Sequence, residues 1–150
     1  MSAPRFLSLL LAAAALAPAG CVVVSTPPPP PEPIKIELYN PTSGDVRPNL
    51  FVSATALDET GLFVGGNQVT NFTTRPFPEL RAGETATVTV DCDTAASIGV
   101  DKPVLFIAST LAVTNSADRI FLLRDTDVTC GRTVRFVYFT EDAAFRVRRE

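Results

Sequence analysis

Two stretches of the chain alternate apolar and polar residues with a period of two. Ile34, Ile36 and Leu38 alternate with Lys35, Glu37 and Tyr39, and Ala86, Val88 and Val90 alternate with Thr85, Thr87, Thr89 and Asp91. Successive side chains of a strand project to opposite faces, so both stretches predict strands with one face buried. Val104-Leu105-Phe106-Ile107-Ala108 is apolar at every position, the pattern of a central strand covered on both sides. Leu50 to Leu57, Ile120 to Leu123, Val134 to Phe139 and Ala143 to Val147 complete a set of about seven strands, with Asn67 to Phe72 as a weaker addition. Between them lie clusters of turn residues such as Asn40-Pro41-Thr42-Ser43-Gly44-Asp45, Asp58-Glu59-Thr60-Gly61, Arg81-Ala82-Gly83-Glu84 and Asn115-Ser116-Ala117-Asp118. Helical periodicity is limited to one short turn at Asp93 to Ile98. The pattern predicts an all-β fold, an antiparallel β-sandwich of immunoglobulin-like or transthyretin-like type. The absence of tryptophan speaks against an antibody-type domain.

The N-terminus reads differently. Arg5 precedes a run from Phe6 to Ala17 that is apolar except for Ser8, too short to stay in a bilayer as a spanning helix and of the length of a signal-peptide core. The run closes on Leu16-Ala17-Pro18-Ala19-Gly20-Cys21. Ala19-Gly20-Cys21 resembles the lipobox of bacterial lipoproteins, although Pro18 stands where that family prefers an aliphatic residue. The resemblance implies that residues 1–20 are removed and that Cys21 receives lipid, anchoring the protein to the membrane. Val22 in place of aspartate after the cysteine implies, in Gram-negative members, the outer membrane. An ordinary secretory signal cut near Ala19 would instead leave Cys21 as a free thiol.

Residues 21–33 then form a tether. Pro27 to Pro31 and Pro33 fix φ and lack amide donors, so the segment is an extended polyproline II spacer. At about 3.1 Å per residue it holds the following domain roughly 20 Å or more from the lipid. The other use of such a run, as ligand for an aromatic-lined groove, fits less well directly after a lipidated cysteine. Ile34 to Glu150 remains as a domain of about 117 residues, enough for one hydrophobic core.

Three cysteines occur in the 150 residues, an odd number for an exported protein. Inward parity continued from Val88 and Val90 places Cys92 in the core, and the same parity places Cys130 with Val128. With Cys21 lipidated and the compartment oxidising, a Cys92–Cys130 disulfide is expected. The body is similar to small secreted or lipid-anchored bacterial β-domains in Leu80-Arg81-Ala82-Gly83-Glu84, Val90-Asp91-Cys92 and Cys130-Gly131, a resemblance that brings no activity with it.

Charge and composition narrow the function. Loss of Arg5 with the leader reduces 13 cations to 12 against 16 acids, a net charge of −4. Apart from Arg146, Arg148 and Arg149 the cations are scattered, so nucleic acid is not an expected partner. No histidine is present, which removes the commonest general base and zinc ligand. Ser97 with Lys102 lacks the spacing of a nucleophile pair, and Gly65-Gly66-Asn67 lacks the Lys and Ser/Thr of a phosphate loop. An enzyme is therefore not expected, and no cofactor.

Two groups remain as candidate sites. Asp91, Asp93, Asp125 and Asp127 flank the two cysteines and offer oxygen ligands of the kind calcium takes, or else a solvated acidic rim. Leu62-Phe63-Val64 between Gly61 and Gly65 is either an exposed contact tip for a partner or membrane, or a segment folded back onto the core. The sequence thus points to a lipid-anchored envelope lipoprotein acting as a non-enzymatic structural or protein-interaction module with an envelope protein as partner. The alternative is an extracytoplasmic binder of a small ligand or calcium.

Overall fold

Ile34, Ile36 and Leu38 are wholly shielded from solvent, and the strand that carries them, β1 (Ile34–Tyr39), is the spine of the structure. The computed structural model describes residues 26–75, 78–107, 112–115 and 118–150, the stretch 112–115 as backbone only. Ten further strands follow among the described residues: β2 (Asp45–Arg47), β3 (Leu50–Ser53), β4 (Gln68–Val69), β5 (Thr85–Val90), β6 (Ser97–Asp101), β7 (Val104–Ile107), β8 (Ala112–Asn115), β9 (Arg119–Leu123), β10 (Thr133–Glu141) and β11 (Ala144–Arg149). One helical turn, α1 (Glu59–Leu62), and two 3-10 turns at Gly65–Asn67 and Cys92–Thr94 are the remaining regular elements described.

The strands form three sheets, ordered β11-β10-β1-β5, β2-β7-β8 and β4-β3-β6-β9. The first sheet turns Ile36, Leu38, Phe136, Tyr138 and Phe145 inward onto Leu50, Ile98, Val100, Leu105 and Leu122 of the other two, and these side chains belong to one continuous core. An all-β sandwich results, as the alternation predicts, with eleven strands where about seven were expected.

The differences have local causes. β2 begins at Asp45, the last residue of a stretch read as turn, and β6 overlaps at Ser97 and Ile98 the one read as helical, because Ser97 and Gly99 blur its apolar pattern; Ser97, Ile98, Gly99 and Val100 are nevertheless all buried. The strand expected to run from Leu50 to Leu57 stops at Ser53, whose hydroxyl accepts the amide of Thr55 and turns the chain. β7 is central in its small sheet but not enclosed: Leu105 is 2 % exposed, Val104 and Phe106 on the opposite face are only half-buried, and Ile107, on the face of Leu105 but at the strand's end, is 46 % exposed. Ala108 of that expected strand lies outside the described residues. The pairing of β1 with β10 is parallel, Ile36 opposite Val134 and Leu38 opposite Phe136, where an antiparallel sandwich was anticipated. Some ninety residues separate the two strands, so no hairpin dictates their relative direction, and alternation reads the same in either.

The β10–β11 hairpin closes through Asp142 and Ala143, both at positive φ (50° and 61°) between the paired Glu141 and Ala144. Two left-handed residues give the turn whose twist matches that of the strands. Aspartate tolerates this conformation and alanine does not. Ala143→Gly should therefore raise stability by about 0.5–1 kcal/mol, the relief of strain being partly offset by a freer unfolded chain. A melting temperature at or below that of the parent would contradict this account.

Candidate functional site

The candidate sites in the domain can all be located, whereas the leader and Val22 lie outside the described residues. Cys21, the expected lipid site, lies outside the described residues. The tether is described from Thr26, is exposed through Pro33, and joins the domain at a defined place. The carbonyl of Glu32 accepts the amide of Gly131 at 3.1 Å, and a Cβ on Gly131 would stand 2.7 Å from Glu32 Oε2. Gly131 also has φ of +76°, a conformation that favours glycine there. The residue before it, Cys130, is disulfide-bonded to Cys92, with Cα atoms 5.6 Å apart, as parity and compartment predict. Cys92 is 2 % exposed. Its carbonyl accepts Nη1 of Arg124, while the amide of Arg124 donates to Ala96, so the bridge, the tether junction and the chain around Arg124 are tied together at one end of the sandwich.

The four aspartates around this bridge do not make a metal centre: among the described residues no three acidic, Cys or His side chains are gathered so as to hold an ion. Local chemistry accounts for Asp91, Asp125 and Asp127 instead. Asp127 Oδ2 accepts the amide of Leu123 at 2.9 Å, and Asp125, with φ of 67°, pairs with Arg124 at 3.4 Å. The Asp91 carbonyl caps the 3-10 turn that contains Asp93, accepting the amide and hydroxyl of Thr94. They form the solvated rim.

The Leu62-Phe63-Val64 segment is folded back, which corrects its reading as a contact tip. Asp58 Oδ1 accepts the amide of Gly61 and starts α1, whose one turn drives Leu62 into full burial. Phe63 meets Phe51 edge to face with centroids 5.3 Å apart and lies so close over Gly99 that a Cβ there would stand 2.9 Å from its ring. Arg119 lies over the other part of the ring at 4.8 Å and holds Asp101 through two bonds of 2.8 and 3.1 Å and Glu59 at 3.3 Å. These carboxylates, Asp101 first, raise the guanidinium above its ordinary pKa. The outer face of the β4-β3-β6-β9 sheet is thus covered by the segment, and Val64 alone of the three is exposed, at 49 %. Phe63→Ala should lower stability by about 2 kcal/mol, less than a fully enclosed phenylalanine would cost; an unchanged melting curve would mean the ring is not packed as described.

Ser97 and Lys102 are not brought together as a nucleophile pair. Ser97 is wholly buried and its hydroxyl is committed to the backbone, accepting from Leu57 and donating to Thr55 or Leu57, while Lys102 is an exposed turn residue at φ 44°. Tyr138, with its hydroxyl 3.4 Å from the Pro48 carbonyl, is held well above the usual tyrosine pKa by burial. Glu84 is lowered by its two bonds to Arg75, which tie the 81–84 turn to the chain at 75.

Three features escaped sequence reasoning. Asn40 is completely buried, its amide aimed at the Gly44, Leu80 and Arg81 carbonyls. A cavity of about 440 Å³ opens between the free edge of β5 at Thr87 to Val90 and the side chains of Val52, Val69, Asn71 and Phe72. On the outer face of the first sheet, Arg135 lies over Tyr39 and Arg148 over Phe139. The outward parity of these last residues was legible, but their union across three strands depends on which strands are neighbours.

No protein-family model and no curated protein matches the sequence. Among solved structures, the crystal structure of the T6SS lipoprotein TssJ1 from Pseudomonas aeruginosa aligns with 81 % of this chain and 98 % of its own, at 19 % identity and a TM-score of 0.40.

Proposed function

We propose that this protein is a lipid-anchored envelope lipoprotein whose β-sandwich serves as a non-enzymatic structural or protein-interaction module. The observation that carries the reading is the order of segments: an apolar leader ending at Ala19-Gly20-Cys21, a proline spacer, and then a disulfide-bonded all-β domain beginning at Ile34. Lipid on Cys21 would place the domain at the membrane, and Val22 favours the outer membrane. Attachment through Glu32 at the disulfide-bonded end leaves the opposite end, with the β10–β11 turn, pointing away from the lipid. A rigid scaffold displayed on a spacer is suited to docking.

Labelled fatty acid is expected to enter the full-length protein and to be lost from Cys21→Ser, with the variant leaving the membrane fraction. A mature chain that begins at Cys21 but carries no lipid mass would overturn the anchor.

A further inference from the structure

We infer that the cavity beside β5 is a strand-addition site: an extended, uncharged segment of a partner protein pairs with the free edge of β5 and buries aliphatic side chains, at alternate positions, in the cavity. This rests on the interaction role proposed above and names the edge and the kind of segment it takes.

Register fixes which backbone groups of β5 are engaged. The Asn40 amide donates to the Glu84 carbonyl, and the β1–β5 pairing continues with Leu38 opposite Ala86, Ile36 opposite Val88 and Ile34 opposite Val90. Bonded pairs recur at every second residue of an antiparallel ladder, so Ala86, Val88 and Val90 commit their amides and carbonyls to β1, and those of Thr85, Thr87 and Thr89 point to the free side. The other side of β1 is consistent: the Lys35 amide donates to Arg132 at the entry to β10, so odd-numbered residues of β1 bond toward β10 and even-numbered ones toward β5. Among the described residues, no hydrogen bond reaches the amides or carbonyls of Thr87 and Thr89 on the free side.

The two edges of this sheet are unlike. β11 carries Arg146, Arg148 and Arg149, and its Val147 amide is capped by Asp118 Oδ2 at 3.0 Å. β5 has no charged residue and no proline from Thr85 to Val90, the residues with which edges are closed to pairing.

The core is also incomplete beside this edge. Val52, Val69 and Phe72 on one wall and Val88 and Val90 on the other pack against the core yet remain only half-buried, and they line the cavity of about 440 Å³, which has no charged side chain in its lining. That volume is within the range of ligand sites. Thr87 and Thr89 stand on the opposite, exposed face of β5. A strand laid along the edge, about 4.8 Å from β5, therefore places every second side chain in the cavity beside the valines and the others in solvent. One extended backbone satisfies the bare amides and carbonyls and fills the apolar opening together. A charged side chain would be desolvated against valine and phenylalanine. Main-chain bonds supply affinity in strand addition, and a pocket for alternate side chains supplies selectivity.

The test uses the full chain in neutral detergent micelles, titrated with a fluorescent peptide in which Val-Thr-Val-Thr-Val-Thr lies between pairs of lysines. Its controls are the same residues in the order Val-Val-Val-Thr-Thr-Thr and the alternating peptide with all six of these amides N-methylated. The alternating peptide should bind, and both controls should bind at least tenfold more weakly. Thr89→Pro, which removes an amide from the free side and is tolerated on an edge strand, should also weaken binding at least tenfold. Val64→Lys, at an exposed site elsewhere, should leave it unchanged. Should Thr89→Pro fail to fold, Val88→Lys, which brings a charge to the cavity, takes its place with the same loss expected. Absence of binding to the parent, equal binding of either control peptide, or undiminished binding by the edge variant would each overturn the proposal. So would a parent dimer, seen by sedimentation, that Thr89→Pro dissociates, because the edge would then belong to a second copy of this chain. Fatty-acid labelling reads the anchor separately: a lipidated protein that does not bind the peptide defeats the strand site alone, and an unlipidated one that binds it defeats the anchor alone.

Discussion

Removing the Cys92–Cys130 bridge, by reduction or by Cys92→Ala with Cys130→Ala, should lower the stability of the domain by roughly 4 kcal/mol. The sequence separation is 38 residues, and freeing a loop of that size returns entropy of this order to the unfolded chain. That is a large share of the total for a domain of this size. The effect is enlarged by position. The bridge lies where the tether meets Gly131 and where Arg124 grips the Cys92 carbonyl, so its loss also frees the entry to β10, the strand paired with the spine. Chemical denaturation of oxidised and reduced protein measures it. Free thiols at Cys92 and Cys130 in the folded, oxidised protein, or identical transitions in both states, would refute the assignment.

Asn40→Ala should cost about 3 kcal/mol, far more than the loss of a typical surface polar residue. The side chain is wholly buried and works in both directions. Nδ2 donates to the carbonyls of Gly44, Leu80 and Arg81 at 2.8, 3.0 and 3.0 Å, and Oδ1 accepts the amide and hydroxyl of Thr42 at 3.0 and 2.7 Å. Each carbonyl keeps one other donor, Thr42 Oγ1, the Val46 amide and the Glu84 amide respectively, so the penalty is a sum of weakened bonds and an unfilled pocket, not three orphaned acceptors. Asn40→Asp separates these contributions. It preserves shape but turns an anion toward three carbonyls, so its buried carboxyl should have a raised folded-state pKa. Stability should then fall as pH rises through the interval between the unfolded and folded values and be restored in acid. A loss below 1 kcal/mol for Asn40→Ala, or a pH-independent loss for Asn40→Asp, would show that the network is not what joins the 40–44 and 80–84 turns.

Asparagine in Asn40-Pro41-Thr42-Ser43-Gly44 was legible as a turn residue, and its turn is indeed there: Oδ1 accepts the amide two residues on. Its reach to Leu80, forty residues away, was not, because nothing in either segment announces the other. Phe63 illustrates the same limit. Three apolar residues between glycines are equally compatible with an exposed tip and a buried flap. Gly99 decides between them by leaving room on β6 for the ring, a complementarity that exists only when the two are packed. The aspartates show the opposite error: adjacency to two bonded cysteines suggested convergence, whereas Asp127 holds its own turn, Asp125 pairs with its neighbour Arg124 and Asp91 acts through its backbone carbonyl.

The sequence by itself determined what depends on neighbours within a few residues: the all-β class, the inward sides of β1 and β5, many of the turns, and, through parity and cysteine count, the disulfide. Period-two alternation records which side of a strand is buried, and turn residues record where the chain can reverse. Tertiary structure alone decided the order and direction of the strands, hence the parallel β1–β10 pair, the cover over β6, and the meeting of Tyr39, Arg135, Phe139 and Arg148 on one face. Those depend on contacts between segments distant in the chain, which are selected by how well whole faces pack and not by the identity of any one residue.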